Sequence, residues 1–151
     1  MIPPNNISRF AIYFVPPESN DLTRFTASWF GWDVYKGVKV DYPVLHNLNY
    51  DIKEITNTPS KYGFHGTLKA PFSLVPNKTI DDLKLSLSML SRSIKKFLIP
   101  SICLREISGF IAIVPTVQNQ SINFLARKCL EGLDCFRDAE PQEILNKRRS
   151  V

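Results

Sequence analysis

The 151 residues are 44% hydrophobic and 22% charged, a composition typical of a globular chain with one ordinary core and not of a disordered one. The formal net charge of +5 suits an anionic substrate, but part of it lies in the terminal Lys147-Arg148-Arg149, and no basic stripe with interleaved aromatic residues marks a general nucleic-acid binder. There is no basic leader and no apolar run of roughly 18 residues, so we expect a cytoplasmic protein without a membrane anchor.

Cysteines and histidines are too few and too scattered for a disulfide framework or a metal site. The three cysteines are odd in number and lack C-x-x-C spacing, which favours reduced, partly buried thiols. The two imidazoles, His46 and His65, form no metal-binding pair by spacing. We therefore predict neither a metal nor another cofactor.

The first predicted elements are a strand and a helix. Apolar residues occupy both sides of the stretch from Arg9 to Val15, which predicts a strand buried on both faces and ended by Pro16-Pro17. From Asp21 the apolar spacing becomes helical, and Gly31 is a fitting residue just past the last turn. The result is a helix of about ten residues.

The stretch from Asp33 to Ser60 has no sustained apolar period and is interrupted by glycine and proline. This pattern predicts a long loop with short extended pieces, and loops of such length often carry function. His46 lies in this loop without a partner at a telling distance in sequence, so we do not expect it to contact a substrate.

The next strand is predicted from Tyr62 to Lys69, with Pro71 closing it. Alternation places His65, Thr67 and Lys69 on one face of this strand. A neutral imidazole can take or give a proton near pH 7, and a neighbouring hydroxyl can donate a hydrogen bond to a phosphate oxygen. The pair His65 and Thr67 therefore indicates half of a phosphoester-cleaving site.

The remainder of the chain predicts an α+β fold. A capping box at Thr79 and Asp82 opens a helix from Ile80 to Lys96, and Ser108-Gly109 joins two strands as a hairpin. A further helix follows, and Pro141 is suited to open a short fourth one. The order β-α-β-α-β-β-α predicts helices on one side of a largely antiparallel sheet, within a single domain. The predicted hairpin strands and third helix cover residues 101–107, 110–114 and 121–133.

Several stretches of the chain form a recognisable set. They are RFAIYF followed by PP at 9–17, WFGWD at 29–33, YGFHGTLKAPF at 62–72, GFIAIVP at 109–115, and FR with PQEIL at 136–145. Together they resemble the phosphonate-operon-associated branch of the two-histidine (2H) phosphoesterase superfamily, a branch of unknown function. An isolated H-x-T triplet would be a weak signal, whereas this set covers nearly the whole chain.

The resemblance implies a bilobal fold in which each α+β half contributes one H-x-[ST] motif to a shared cleft. His65 would then be one acid/base group and Thr67 the phosphate-binding hydroxyl, with no metal required. Lys69 would lend positive charge to the substrate, and Tyr62 would contact substrate or, like Phe64, support the motif by packing.

Known members of the superfamily act on cyclic or linear phosphodiesters, often 2′,3′-cyclic nucleotides or RNA ends, and this branch is associated with phosphonate breakdown. They place the second motif several tens of residues beyond the segment equivalent to Lys147-Arg148-Arg149. This sequence ends at Val151 and has no histidine after His65. The expectation is a C-terminally truncated protein with an incomplete second lobe and weak or no turnover.

Two alternatives remain open at this point. The chain could bind a small phosphorylated ligand or a nucleotide end without catalysis, using His65, Thr67 and Lys69. It could also restore a complete site by self-association, with two copies setting their His65 residues across a common cleft. The sequence does not give the oligomeric state.

Overall fold

The structure, a computed structural model, describes residues 9–46 and 49–139. Within these ranges the chain has an α+β fold, as predicted. Its strands are β1 (Arg9–Phe14), β2 (Trp32–Asp33), β3 (Val38–Lys39), β4 (Gly66–Ser73), β5 (Ile102–Ile107) and β6 (Phe110–Pro115). Its helices are α1 (Asp21–Phe30), α2 (Ile52–Ser60), α3 (Ile80–Ser93) and α4 (Gln120–Gly132), followed by a 3-10 helix at Asp134–Phe136.

The strands pair in twos. Among the described residues β1 pairs with β4, β2 with β3 and β5 with β6, and the last two pairs are antiparallel. The sequence predicts one larger sheet instead. Hairpin pairs are encoded by the turn that joins them, whereas pairing between strands distant in sequence depends on tertiary packing that periodicity does not specify.

The described residues form two compact units, and the single domain expected over residues 1–151 stays a prediction. The core unit comprises residues 9–12 and 68–139, and the motif unit comprises residues 13–46 and 49–67. The core unit contains the buried apolar cluster, in which side chains of β1, β4, α3, α4 and the 3-10 helix meet. Its members are Ile12, Phe72, Leu83, Cys129, Leu133 and Phe136.

Local signals in the sequence correctly place three elements. Helix α1 begins after Asn20, whose side chain accepts a hydrogen bond from the Leu22 amide, and it ends at Gly31 in the left-handed region. The predicted capping box of Thr79 and Asp82 is present at the start of α3. The predicted hairpin of β5 and β6 turns at residues 108–109, both of which have positive φ.

Other predicted boundaries are wrong. Helix α3 ends at Ser93 and not at Lys96, because Ile94 already takes extended backbone angles. The first strand is not buried on both faces, since Ile12 is its one buried residue and Phe14 is 53% exposed. The stretch predicted as a loop contains helix α2, which begins after the capping side chain of Asp51.

The strand that carries the motif is shifted along the chain relative to its prediction. It begins at Gly66 and not at Tyr62, because Gly63 has a φ of +68° and interrupts the extended backbone. It continues through Pro71 because, among the described residues, β4 pairs with β1 alone, and an edge position tolerates a residue without an amide donor. The Pro71 carbonyl accepts a hydrogen bond of 2.7 Å from the Arg9 guanidinium. The short helix predicted at Pro141 lies outside the described residues.

Candidate active site around His65

His65 lies between the turn at Gly63 and the first residue of β4, and its side chain is half-buried. Its Nδ1 is 2.9 Å from the Gly63 carbonyl oxygen. A carbonyl oxygen can only accept a hydrogen bond, so Nδ1 carries the proton and donates it. In the neutral ring Nε2 is then the basic nitrogen, which is the state a general base requires.

Two tyrosines flank the imidazole. The ring centroid of Tyr13, at the end of β1, is 4.0 Å from that of His65, with an angle of 34° between the planes. The Tyr62 ring is farther away, at 6.2 Å and 55°, and its side chain is 59% exposed. Tyr13 therefore supports one face of the imidazole closely, while Tyr62 lies at the solvent side of the site.

Gly63 sets the position of the carbonyl that holds His65. Its amide donates to the Pro59 carbonyl over 2.9 Å at the end of α2, and its φ of +68° suits glycine. A Cβ atom at this position would lie 2.0 Å from Cγ1 of Val34. Glycine is therefore required both by the backbone conformation and by the close approach of Val34.

The other motif residues divide between packing and exposure. Phe64 lines a small cavity together with Trp32 and Val34, which favours the predicted packing role. Thr67 is exposed at the second residue of β4. Its hydroxyl is thus accessible to a ligand, and its role in binding phosphate stays a prediction.

Lys69 is engaged by another part of the core unit. Its side chain is only 4% exposed, and its ammonium donates to Oδ1 of Asp134 over 3.0 Å and to the Leu130 carbonyl over 3.2 Å. Hydrogen bonds from Arg137 and then from Lys69 lower the pKa of Asp134 to about 2. These contacts favour a structural ion pair for Lys69 over the substrate contact predicted from strand alternation.

The remaining residues considered for chemistry do not join His65. His46 is exposed in its loop, and in residues 9–46 and 49–139 no hydrogen bond or ring contact links it to His65. In the same described ranges, no three His, Cys, Asp or Glu side chains gather in a group suited to a metal ion. None of the helices in these ranges has the length and apolar character needed to cross a bilayer.

The family model described as "Protein of unknown function (DUF1045)" matches residues 67–151, which is more than half of the chain. The chain belongs to the DUF1045 family. The matched segment includes Thr67 and Lys69 and begins two residues after His65.

Two curated relatives carry the name "Ribose 1,5-bisphosphate phosphokinase PhnN". The protein of Janthinobacterium sp. (strain Marseille) is 25% identical over 145 residues, which are 95% of this chain and 32% of the relative. The protein of Laribacter hongkongensis (strain HLHK9) is 25% identical over 135 residues, or 88% of this chain and 32% of the relative. This DUF1045 chain thus spans about a third of the length of the curated relatives it matches. No solved structure matches it.

Sequence reasoning missed three residues around the motif of this DUF1045 protein. In the sequence, Tyr13 is one of several apolar residues of a predicted strand, and nothing local marks it as a neighbour of His65. Only the tertiary structure brings its ring to His65. Asp134 lies 65 residues from Lys69 and carries no local sign of their ion pair. Gly63 could have been found, because a glycine two residues before a candidate base inside a strand-like stretch indicates a break in the strand.

Proposed function

We propose that this DUF1045 protein is a phosphoesterase that acts on cyclic or linear phosphodiesters, with His65 as its general base and no metal required. The observation that carries the proposal is the hydrogen bond between Nδ1 of His65 and the Gly63 carbonyl. It fixes the tautomer in which Nε2 is the basic nitrogen. The resemblance of residues 62–72 to the 2H phosphoesterases supports the same role.

The proposed reaction is an in-line displacement at phosphorus. Nε2 of His65 accepts the proton of the attacking hydroxyl or water as its oxygen forms a bond to phosphorus, and the bond from phosphorus to the leaving oxygen breaks. The Thr67 hydroxyl would donate to a non-bridging phosphate oxygen, and the exposed Tyr62 ring would border the substrate. The leaving oxygen takes its proton from water or from a second acid.

The motif supplies one histidine, His65, which implies a slow enzyme. Loss of one of two proton-transfer groups commonly lowers the rate on the order of 100- to 10,000-fold. Within the part of the chain that the structure describes, no hydrogen bond or ring contact joins His46 to His65, so we do not propose His46 as this second group. We therefore propose low turnover for this chain as it stands.

A small phosphorylated sugar or nucleotide is the substrate class we propose. The two relatives are named for a ribose bisphosphate, which is a phosphorylated pentose, and the resembling 2H branch is associated with phosphonate breakdown. The 151 residues contain no G-x-x-x-x-G-K-[ST] phosphate-binding loop, and we propose no kinase activity for them. RNA ends are a further candidate within the same chemistry.

A second function, binding a phosphorylated ligand without catalysis, is favoured by the contacts of Lys69. Its ammonium is bound to Asp134 and the Leu130 carbonyl, so the motif offers one base and one hydroxyl for chemistry. Such a site can hold a phosphate through Thr67 and His65 without cleaving it.

The test is hydrolysis of a panel of 2′,3′-cyclic nucleotides and cyclic ribose phosphates in the presence of EDTA. His65→Ala should lose at least about 100-fold in kcat/KM, as expected for removal of a general base. His46→Ala is the matched control, because it removes the other imidazole, and it should retain wild-type activity. Thr67→Ala should raise KM, and Thr67→Ser should restore it.

The outcomes separate the two functions. Turnover that persists in His65→Ala contradicts the proposed role of the imidazole. Absence of turnover in the wild type, together with calorimetric binding that survives His65→Ala and is lost in Thr67→Ala, identifies a binding module. Activity that rises with the square of protein concentration would indicate assembly of the site from two copies.

A further inference from the structure

An open cleft of about 810 Å³ lies in the core unit, between the segment that follows α3 and the first turns of α4. Its volume falls within the range of small-molecule sites, roughly 300 to 1,000 Å³, and is far larger than a single phosphate needs. Residues from 93–97 and 120–127 line it. The motif of His65 and Thr67 contributes no residue to this lining.

Among residues 9–46 and 49–139, the charged side chains that line the cleft are Lys95, Lys96 and Arg127, and all three are positive. None of these three cations takes part in the ion pairs of residues 9–46 and 49–139. Three uncompensated cations in one concave surface attract a polyanion and release its counterions on binding.

Two aromatic rings lie among these cations. Phe97 is 38% exposed and Phe124 is 44% exposed, although the core unit has its own buried apolar cluster. The Arg127 guanidinium is 5.9 Å from the Phe124 ring centroid, and the Lys128 ammonium is 5.4 Å from it. A phosphate alone does not stack on an aromatic ring, whereas a nucleic-acid base can stack on both of these rings.

We propose that this cleft, lined by Lys95, Lys96, Phe97, Phe124 and Arg127, binds a short stretch of single-stranded nucleic acid. The three cations contact successive phosphates, and the two rings stack against unpaired bases. A duplex does not fit this arrangement, because its bases are already stacked on one another. The site is separate in its residues from the proposed phosphoesterase motif, and neither proposal depends on the other.

The test is fluorescence anisotropy of an eight-nucleotide oligodeoxythymidylate carrying fluorescein, titrated with the protein between 50 and 200 mM salt. This probe has no 2′-hydroxyl and cannot form a cyclic phosphate, so its binding is independent of hydrolysis at His65. Lys95→Gln/Lys96→Gln should weaken binding at least tenfold. The slope of log K against log salt should fall by about 0.7 for each phosphate contact removed.

Matched variants distinguish the cleft from general electrostatic attraction. Lys61→Gln/Lys84→Gln removes two exposed lysines that do not line the cleft, and its affinity should stay within twofold of wild type at equal ionic strength. Phe124→Leu keeps an apolar helix residue but removes the ring, and it should weaken binding at least fivefold with an unchanged salt slope. Phe97→Leu is the second ring variant, and circular dichroism melting verifies that each variant folds.

Three results would overturn the proposal. One is equal weakening by the two double-lysine variants, which would mean nonspecific attraction. Another is wild-type affinity in both leucine variants combined with displacement of the probe by 10 mM inorganic phosphate, which would mean a phosphate site only. The third is binding to vesicles of anionic phosphatidylglycerol without binding to the oligonucleotide.

Discussion

Removing the carboxylate of Asp134 should destabilise the protein far more than removing the ammonium that it binds. The side chain of Lys69 is 4% exposed and its ammonium lies 3.0 Å from Oδ1 of Asp134, whereas the side chain of Asp134 is 51% exposed. A charge left buried without its partner costs about 3 to 5 kcal/mol. Replacing the buried Lys69 leaves no such charge, because the partner that remains, Asp134, is half exposed and keeps its hydrogen bonds from Arg137. Removal of the carboxylate and removal of the ammonium should therefore lower the free energy of unfolding by different amounts.

The magnitudes follow from the geometry. Two unit charges 3 Å apart attract each other by about 5 kcal/mol at an effective dielectric constant of 20, and solvent around the half-exposed carboxylate reduces this. We expect Asp134→Asn to lower the free energy of unfolding by about 2 kcal/mol. Lys69→Met should change it by less than about 1 kcal/mol, and the double variant should resemble Lys69→Met alone.

Urea unfolding followed by circular dichroism measures these differences. Asp81→Asn is the matched control, because Asp81 forms an exposed ion pair with Lys84 at 3.3 Å, and it should cost less than about 0.5 kcal/mol. A larger loss for Lys69→Met than for Asp134→Asn would refute the reasoning. Lys69→Met also tests the predicted substrate contact, since an unchanged KM would leave Lys69 with a structural role only.

The same pair predicts a pH dependence. Hydrogen bonds from Arg137 and Lys69 lower the pKa of Asp134 to about 2, against about 3.9 for an unfolded aspartate. A depressed pKa contributes stability that is complete above the unfolded value and disappears as pH falls through the folded one. The stability difference between wild type and Asp134→Asn should therefore shrink between about pH 4 and pH 2. A difference that stays constant across this window would contradict the assignment.

Three further predictions concern other parts of the molecule. Gly63→Ala should lower the free energy of unfolding by at least about 2 kcal/mol, since it adds a clash to an unfavourable φ. Gly37→Ala, at a similar φ of +65° and with nothing within 4 Å, should cost about 1 kcal/mol in the same urea titration. Burial raises the pKa of the Cys129 thiol, so Cys129 should resist a thiol reagent until the protein unfolds. The exposed Cys135 should react at once. Mass spectrometry of the labelled peptides measures both reactions. Thr79→Ala should lower the free energy of unfolding by about 1 kcal/mol through loss of the helix cap, and Thr79→Ser should leave it unchanged.

The sequence by itself determined the elements whose causes are local. The capping box at Thr79 and Asp82, the glycine that ends α1 and the turn at residues 108–109 each act within a few residues of chain, so their structure could be predicted. The helix at Ile52–Ser60 was missed because Pro59, a residue typical of loops, lies inside it, although the Asp51 cap marks its start. The α+β class follows from the order of the elements.

The candidate site, like the fold, was predicted from the sequence only in part. His65 and Thr67 were singled out from the sequence by their spacing together with the resemblance of residues 62–72, because the chemistry of an imidazole beside a hydroxyl is a property of the residues themselves. The environment of each side chain was decided by tertiary structure. Tyr13 supports the imidazole from β1, and Asp134 binds Lys69 across 65 residues of chain. The basic cleft likewise exists only because folding brings Lys95 and Lys96 to Arg127. Alternation along a strand specifies which face a residue occupies, but the partner that it meets there comes from elsewhere in the chain.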